Sequence, residues 1–212
     1  PVPHGNVTRH VYRSTVLGGE REMYVYTPPN YDRTRRYPVL YLLGGSGELA
    51  STWNIDGRAG FIADNLIAEG KALPMIIAMP NNQVLHRSDP RHTELTFPLF
   101  EKELRQHIIP VVEKAYSTQP GPRGRAIAGL SMGGRHAQLV GFKSLDLFRS
   151  FGILSAGDPD GSEARLELRR VAEATEPLAA LTHWRGPPPP ATALGECAAS
   201  QRPVIRDAAE GT

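Results

Sequence analysis

The chain predicts a three-layer α/β fold built on a mostly parallel sheet with an N-terminal antiparallel hairpin. Three observations carry this reading. Short apolar runs alternate with segments of helical period; the runs "YPVLYLLGG" and "LPMIIAMPN" are continuously apolar; and two strand-like stretches precede them, joined by a glycine turn. Continuous apolar runs mark strands covered on both faces, as in a parallel sheet held between helices. Alternation of such strands with helices is the pattern of a layered α/β domain.

The elements follow in order. "NVTRHVYRS" sets Val7, Arg9, Val11 and Arg13 on one face, with polar and aromatic residues on the other. "REMYVYTPP" is rich in β-formers and is closed by Pro28 and Pro29, and "LGGE" supplies the turn of the hairpin. After the first buried strand, "GRAGFIADNLIAEGK" carries Phe61, Ile62, Leu66 and Ile67 at helical spacing, and Gly70 ends the helix. "FPLFEKELRQHIIPVVEKAY" aligns Phe100, Leu104, Ile108, Val111, Val112 and Ala115 on one stripe, with Pro110 kinking the helix or opening its second half. On this helix Glu101 and Glu103, near Lys102 and Arg105, read as a solvated face. "GRAIAGLS" is a strand entering a sharp turn, "MGGRHAQLVGFKS" a helix and "FRSFGILSAG" a further strand.

The character changes near Asp158. Residues 158–212 are rich in Ala, Arg, Pro and Glu, with Trp184 their only aromatic. "EARLELRRVAEATEPLAAL" suits one helix and "RGPPPPATALGE" suits extended polyproline structure, but no buried strand follows. The reading is therefore a core over 1–157 and an atypical tail over 158–212, disordered or partly helical. It is either a divergent C-terminus or, the reading favoured here, out-of-frame or foreign sequence after the native frame. A sheet without its last strands exposes an apolar edge and invites self-association.

Composition narrows the partners. Hydrophobic residues are 40% and charged residues 22% of the 212, an ordinary balance for a soluble globular protein. A net charge of +2 is too small to argue for nucleic acid or a membrane surface, and no apolar run reaches the length of a membrane span. Cys197 is the single cysteine, so no internal disulfide forms. No signal peptide reads from the first residues, and an opening on Pro1 is compatible with a leader already removed.

Chemistry enters at "GLSMG", residues 129–133, which fits G-x-S-x-G. In this motif a tight strand-to-helix turn strains the nucleophile's backbone, and glycines two residues either side make room for neighbouring chain. Ser131 is the candidate nucleophile, and the Met132 N–H, heading a helix, is the first candidate oxyanion donor. The second belongs on the loop "GGSGE" after the earlier strand, where Gly45 and Ser46 are the candidates. A phosphate-binding reading of that loop fails because no G-K-[ST] follows. Trp53 and His86 stand on neighbouring loops as candidate substrate-binding residues, the alternatives being packing for Trp53 and a solvated loop for His86. His86 and His92 lack further ligands at metal-site spacing.

With "VPHGNV", "REMYVYTPPNYD", "RRYPVLYLLGGSG", "FIADNLIAEGKALPMIIAMPN", "FEKELRQHIIPVVEKAY" and "RAIAGLSMGG" in family order over about residues 2–157, the chain resembles the esterase D-like α/β-hydrolases. This group includes feruloyl and acetyl-xylan esterases of carbohydrate esterase family one and enterochelin esterase-like proteins. The resemblance implies an α/β-hydrolase fold and hydrolysis of small-molecule or polysaccharide esters through an acyl-serine, with no cofactor and no metal, in an extracellular or periplasmic setting. One departure is Gly44, which stands where relatives carry a histidine that helps fix the oxyanion loop.

The other departure concerns the base and acid that a serine nucleophile requires. In this fold they follow in the order Ser, Asp or Glu, His. Only His136 and His183 follow Ser131, and helix geometry carries His136 away from the hydroxyl. That leaves His183 as the candidate base with Asp158, or Asp160, as the acid. The competing functions are a serine carboxylesterase impaired by its C-terminus, a non-catalytic protein that binds ester or sugar ligands, and an acyltransferase.

Overall fold

The computed structural model describes residues 2–156. The tail over 158–212, with Asp158, Asp160 and His183, lies outside the described residues. Six strands, β1 (Asn6–Ser14), β2 (Gly19–Thr27), β3 (Val39–Leu43), β4 (Ile76–Pro80), β5 (Arg125–Leu130) and β6 (Ser150–Leu154), form one sheet in the order β1-β2-β4-β3-β5-β6. β1 and β2 pair antiparallel from Asn6↔Thr27 to Ser14↔Gly19, and β2 docks antiparallel on β4. β4, β3, β5 and β6 run parallel. The expected hairpin and parallel core are both present.

Side chains of successive strand residues point to opposite faces, and here each face has its own core. Tyr41 and Leu43 of β3 and Ile127 of β5 pack with Phe100, Leu104 and Ile108 from the long helical segment on one side. Leu42, Ile77 and Met79 pack with Tyr26 and with Ala59 and Ala63 on the other. The helices are α1 (Thr52–Ile55), α2 (Ala59–Ala68), α3 (His92–Glu103), α4 (Ile109–Ala115) and α5 (Met132–Lys143). A π turn over Leu104–Ile108 joins α3 to α4, and Pro110 occupies the first turn of α4. A proline ring clashes with the carbonyl four residues back, and the widened turn just ahead of it gives that carbonyl room. Pro110 thus opens the second half of the helix while the stripe Phe100, Leu104, Ile108, Val112 remains fully buried.

Three features differ from the reading of the sequence. In α2, Phe61 and Ile62 are exposed, and the buried face is Ala59, Gly60, Ala63 and Asp64. The small residues admit the Tyr26 ring, which lies 3.2 Å from where a Gly60 Cβ would stand. Asp64 is buried because it is satisfied: it accepts hydrogen bonds from the Gly5 N–H at 2.9 Å and the Tyr26 hydroxyl at 2.7 Å, and pairs with His4 at 2.9 Å. Glu103 is not on a solvated face either. It is fully buried and accepts a 2.6 Å hydrogen bond from the Ser14 hydroxyl of β1. Finally, α3 begins at His92, five residues ahead of the stretch "FPLFEKELRQHIIPVVEKAY" read as the helix.

Candidate active site

The elbow is set by backbone geometry. Ser131 sits between the end of β5 and the first residue of α5 with φ 54° and ψ −116°, a conformation that a residue with a Cβ occupies at a cost of about 1–3 kcal/mol. Its N–H donates to the Leu154 carbonyl of β6 at 2.9 Å, and its side chain is exposed. Both flanking glycines are sterically required. A Cβ on Gly129 would stand 2.5 Å from the Gly133 carbonyl oxygen, and a Cβ on Gly133 would stand 2.6 Å from the Gly44 carbonyl oxygen. Helix α5 therefore touches the chain leaving β3, which brings the loop at 44–48 beside Ser131. A Cβ on Gly45 would lie 3.6 Å from Ser131 Cβ. The Met132 N–H heads α5, in the first turn where no intrahelical acceptor exists.

The loop at 44–48 is tied at several atoms. Asn82, buried after β4, donates from Nδ2 to the Gly44 carbonyl at 2.8 Å. Gln83 donates from Nε2 to the Gly45 carbonyl at 2.8 Å and accepts the Gly47 N–H at 3.1 Å. Glu48 accepts the Gly45 N–H on Oε2 at 2.7 Å, and its own N–H donates to the Gly45 carbonyl at 3.3 Å. Of the two candidate donors from the sequence, the Gly45 N–H is thus engaged inside the loop. The Ser46 N–H, on an exposed residue, has no hydrogen-bond partner among the described residues. Asn82, Gln83 and Glu48 were not singled out from the sequence. A carboxylate three residues after a glycine amide in "GSGE" was the available signal.

His136 is fully buried on α5. Its Nδ1 lies 2.9 Å from the Met132 carbonyl, and its ring meets Phe97 and Phe100 edge-on at centroid distances of 4.9 and 4.6 Å. Burial pushes its pKa down to about 4, so it is neutral at ordinary pH. It serves packing, as helix geometry implied. Among the described residues no histidine is hydrogen-bonded to Ser131. The candidate acid Asp158 and base His183 lie outside the described residues. Trp53 is half-buried against the Tyr26 and Met79 cluster. His86 is exposed and bonds locally, its Nδ1 2.7 Å from Ser88 Oγ.

A strained serine between a parallel strand and a helix, flanked by obligatory glycines and a glycine loop, agrees with what sequence comparison finds. The Esterase family model matches residues 14–183. The chain belongs to the Esterase family. The match runs past Asp158 and ends at His183. Among its relatives is an endo-1,4-beta-xylanase/feruloyl esterase of Xylanibacter ruminicola, 36% identical over 161 residues, which cover 74% of this chain and 22% of that protein. The ferulic acid esterase of the anaerobic fungus Anaeromyces mucronatus superposes with a TM-score of 0.67 at 30% identity, over 72% of this chain and 59% of that one. A feruloyl esterase module from Clostridium thermocellum, solved with sinapinate, superposes with a TM-score of 0.65 at 25% identity, over 81% and 62% of the two chains. This esterase-family chain therefore spans about a fifth of the first curated relative and about six tenths of these solved structures.

Proposed function

We propose that this chain is a serine carboxylesterase acting on feruloyl or acetyl esters of plant polysaccharides. The observation that carries the reading is Ser131 itself, exposed and strained at the head of α5; feruloyl esterase relatives support the substrate class. Ser131 Oγ attacks the acyl carbon and loses its proton to a base. The oxyanion that forms is held by the Met132 N–H and the Ser46 N–H. The carbon–oxygen bond to the alcohol then breaks, the alcohol leaves with the proton, and water releases the acid from the acyl-serine by the same steps. His183 and Asp158 fill the roles of base and acid in this reading, by chain order. Trp53 and His86 remain the proposed substrate contacts on the flanking loops.

The test is hydrolysis of p-nitrophenyl acetate and methyl ferulate by this chain and by Ser131→Ala. The variant is expected to lose at least about a thousandfold in kcat/KM, with an unchanged melting curve. The rate of the parent should rise with pH through about 6.5 as a histidine base loses its proton. Equal rates in the two proteins, or none in either, would overturn the reading in favour of a non-catalytic protein.

Self-association belongs to the same proposal. Among the described residues nothing pairs with the outer side of β6, where Ile153 and Leu154 are exposed. Sedimentation velocity is expected to show a concentration-dependent dimer, and a monomer at all concentrations would refute it.

A further inference from the structure

We propose that Glu48 is the positioning residue of the oxyanion loop, gripping Gly45 so that the Ser46 N–H is left as the loop's donor. The inference rests on the esterase reading of Ser131 and concerns how its second donor is held. The loop has no side chain of its own at positions 44 and 45 to fix it. Glu48 supplies one from three residues on. Its carboxylate accepts the Gly45 N–H at 2.7 Å while its backbone N–H donates to the Gly45 carbonyl at 3.3 Å, so both polar groups of Gly45 are held by one residue. The pairing has the reciprocal logic of a helix capping box, in which two backbone groups are satisfied across a three-residue span.

The space confirms the fit. A Cβ on Gly44 would meet Glu48 Oε2 at 2.7 Å and Asn82 Oδ1 at 3.7 Å, so these two side chains occupy the volume a residue at 44 would claim. With Gly45 bound to Glu48 and Gly47 bound to Gln83, Ser46 keeps the N–H that a substrate oxygen can use. The grip also has an electrostatic side. The Glu48 carboxylate and Ser131 stand on the same side of Gly45, whose would-be Cβ lies 3.4 Å from Glu48 Cδ and 3.6 Å from Ser131 Cβ. A carboxylate so placed opposes negative charge growing on a nearby substrate oxygen. The acceptor is what the loop needs and the charge is what catalysis must tolerate. Glu48→Gln keeps the acceptor and removes the charge, whereas Glu48→Ala removes both.

The experiment compares these two variants with the parent on p-nitrophenyl acetate and by 15N relaxation of the Ser46 amide. Glu48→Ala is expected to lose about 10- to 100-fold in kcat at a KM within about twofold. Its Ser46 order parameter should fall from the rigid range near about 0.85 to below about 0.6. Glu48→Gln is expected to keep a rigid Ser46 and a kcat at or above the parent's. A Glu48→Ala protein with parental kcat and a rigid Ser46 overturns the proposal, and so does a Glu48→Gln protein as slow and as mobile as Glu48→Ala. Should the parent hydrolyse nothing, the esterase reading fails, and the Ser46 order parameters still decide the part Glu48 plays.

Discussion

Gly133→Ala is expected to cost this protein both its stability and any hydrolytic activity. The added methyl carbon would stand 2.6 Å from the Gly44 carbonyl oxygen, 2.7 Å from the Leu43 carbonyl carbon and closer still to the Leu43 oxygen. All three are backbone atoms, so no rotamer change relieves the overlap. Either α5 lifts away from β3 or the end of β3 bends. Forcing extra carbon into a packed site costs typically about 1–3 kcal/mol, and a clash against backbone on every side belongs at or above the top of that range. The same displacement separates Ser131 from the loop at 44–48, and a shift of about 1 Å at a reacting centre costs on the order of a hundredfold in rate. Gly129→Ala should behave alike, since its methyl would press on Gly133. Gly19→Ala is the control, because a Cβ there meets nothing within 4 Å. Thermal melts and ester hydrolysis of the three variants check this. A Gly133→Ala protein that melts with the parent and hydrolyses at the parental rate would mean that the tight contact between α5 and β3 is not required.

That contact explains why the elbow was legible in the sequence. The local requirement is steric and severe, and only glycine at 129 and 133 meets it, so the signature sits in five consecutive residues. The strands were legible for a related reason. β3 and β4 are covered on both faces and read as continuous apolar runs. Elements whose burial depends on a particular partner were read less well. Helical period finds a stripe in α2 at Phe61, Ile62, Leu66 and Ile67, but the face against the sheet is chosen by the bulk of Tyr26, which needs Gly60 and the alanines. A buried Asp64 reads as polar until the Gly5 N–H and the Tyr26 hydroxyl are seen to converge on it. Glu103 could have been placed. It stands three residues after Phe100 and one before Leu104, on the stripe itself, and only its charge argued for solvent. The grip of Glu48 on Gly45 is local in sequence yet depends on a loop conformation that composition does not specify.

Strain and order meet at the elbow. Ser131 holds an unfavourable backbone conformation because both of its flanks are over-determined: its N–H is bonded to β6, and α5 is pressed on β3 through Gly133. The side chains that hold the loop at 44–48 come from the segment after β4 and from the loop's own far end, not from the elbow. Ser131 and the loop at 44–48 are thus held by different side chains, and the two networks meet where Gly133 stands against the Gly44 carbonyl, where Asn82 lies between Gly44 and His136, and where Gly45 faces Ser131. Glu48 is not one of these meeting points on the α5 side, its bonds going to Gly45 alone, so Glu48 variants should act on the loop more than on the backbone of Ser131.

Acid should destabilise this fold well above the range in which its carboxylates titrate, and His136 is the cause. Buried among Phe97 and Phe100, it has its pKa pushed down to about 4, whereas in the unfolded chain it returns to about 6.5. Above pH about 6.5 neither state is protonated and stability does not depend on this group. Between about 6.5 and 4 the unfolded chain binds a proton that the folded chain refuses, so stability falls as pH falls. Below about 4 both states are protonated and the loss is complete, on the order of 3 kcal/mol. That is a large share of the about 5–15 kcal/mol that holds a typical domain together. The Arg91 guanidinium hydrogen-bonded to Asp89 holds that carboxyl down to about 2, and Asp32 and Asp146 are also lowered, but those contributions are lost only at lower pH. Urea unfolding at pH 7.5 and pH 4.5 therefore reads the histidines, among which partly buried His10 is also lowered by desolvation, and a His136 variant separates His136 from the rest. The parent should lose most of the expected about 3 kcal/mol between the two, while His136→Phe, which keeps an aromatic ring between Phe97 and Phe100, should lose clearly less, its remainder coming from groups such as His10. Its offset at neutral pH is immaterial, because the difference between the two pH values is what is read. Parallel pH dependence in the two proteins would show that the ring is not held neutral. Because His136 Nδ1 bonds the Met132 carbonyl in the first turn of α5, protonation that expels the ring loosens the turn that carries Ser131. Acid should accordingly lower activity first through the base near about pH 6.5, with weakening of the fold adding to the loss at lower pH.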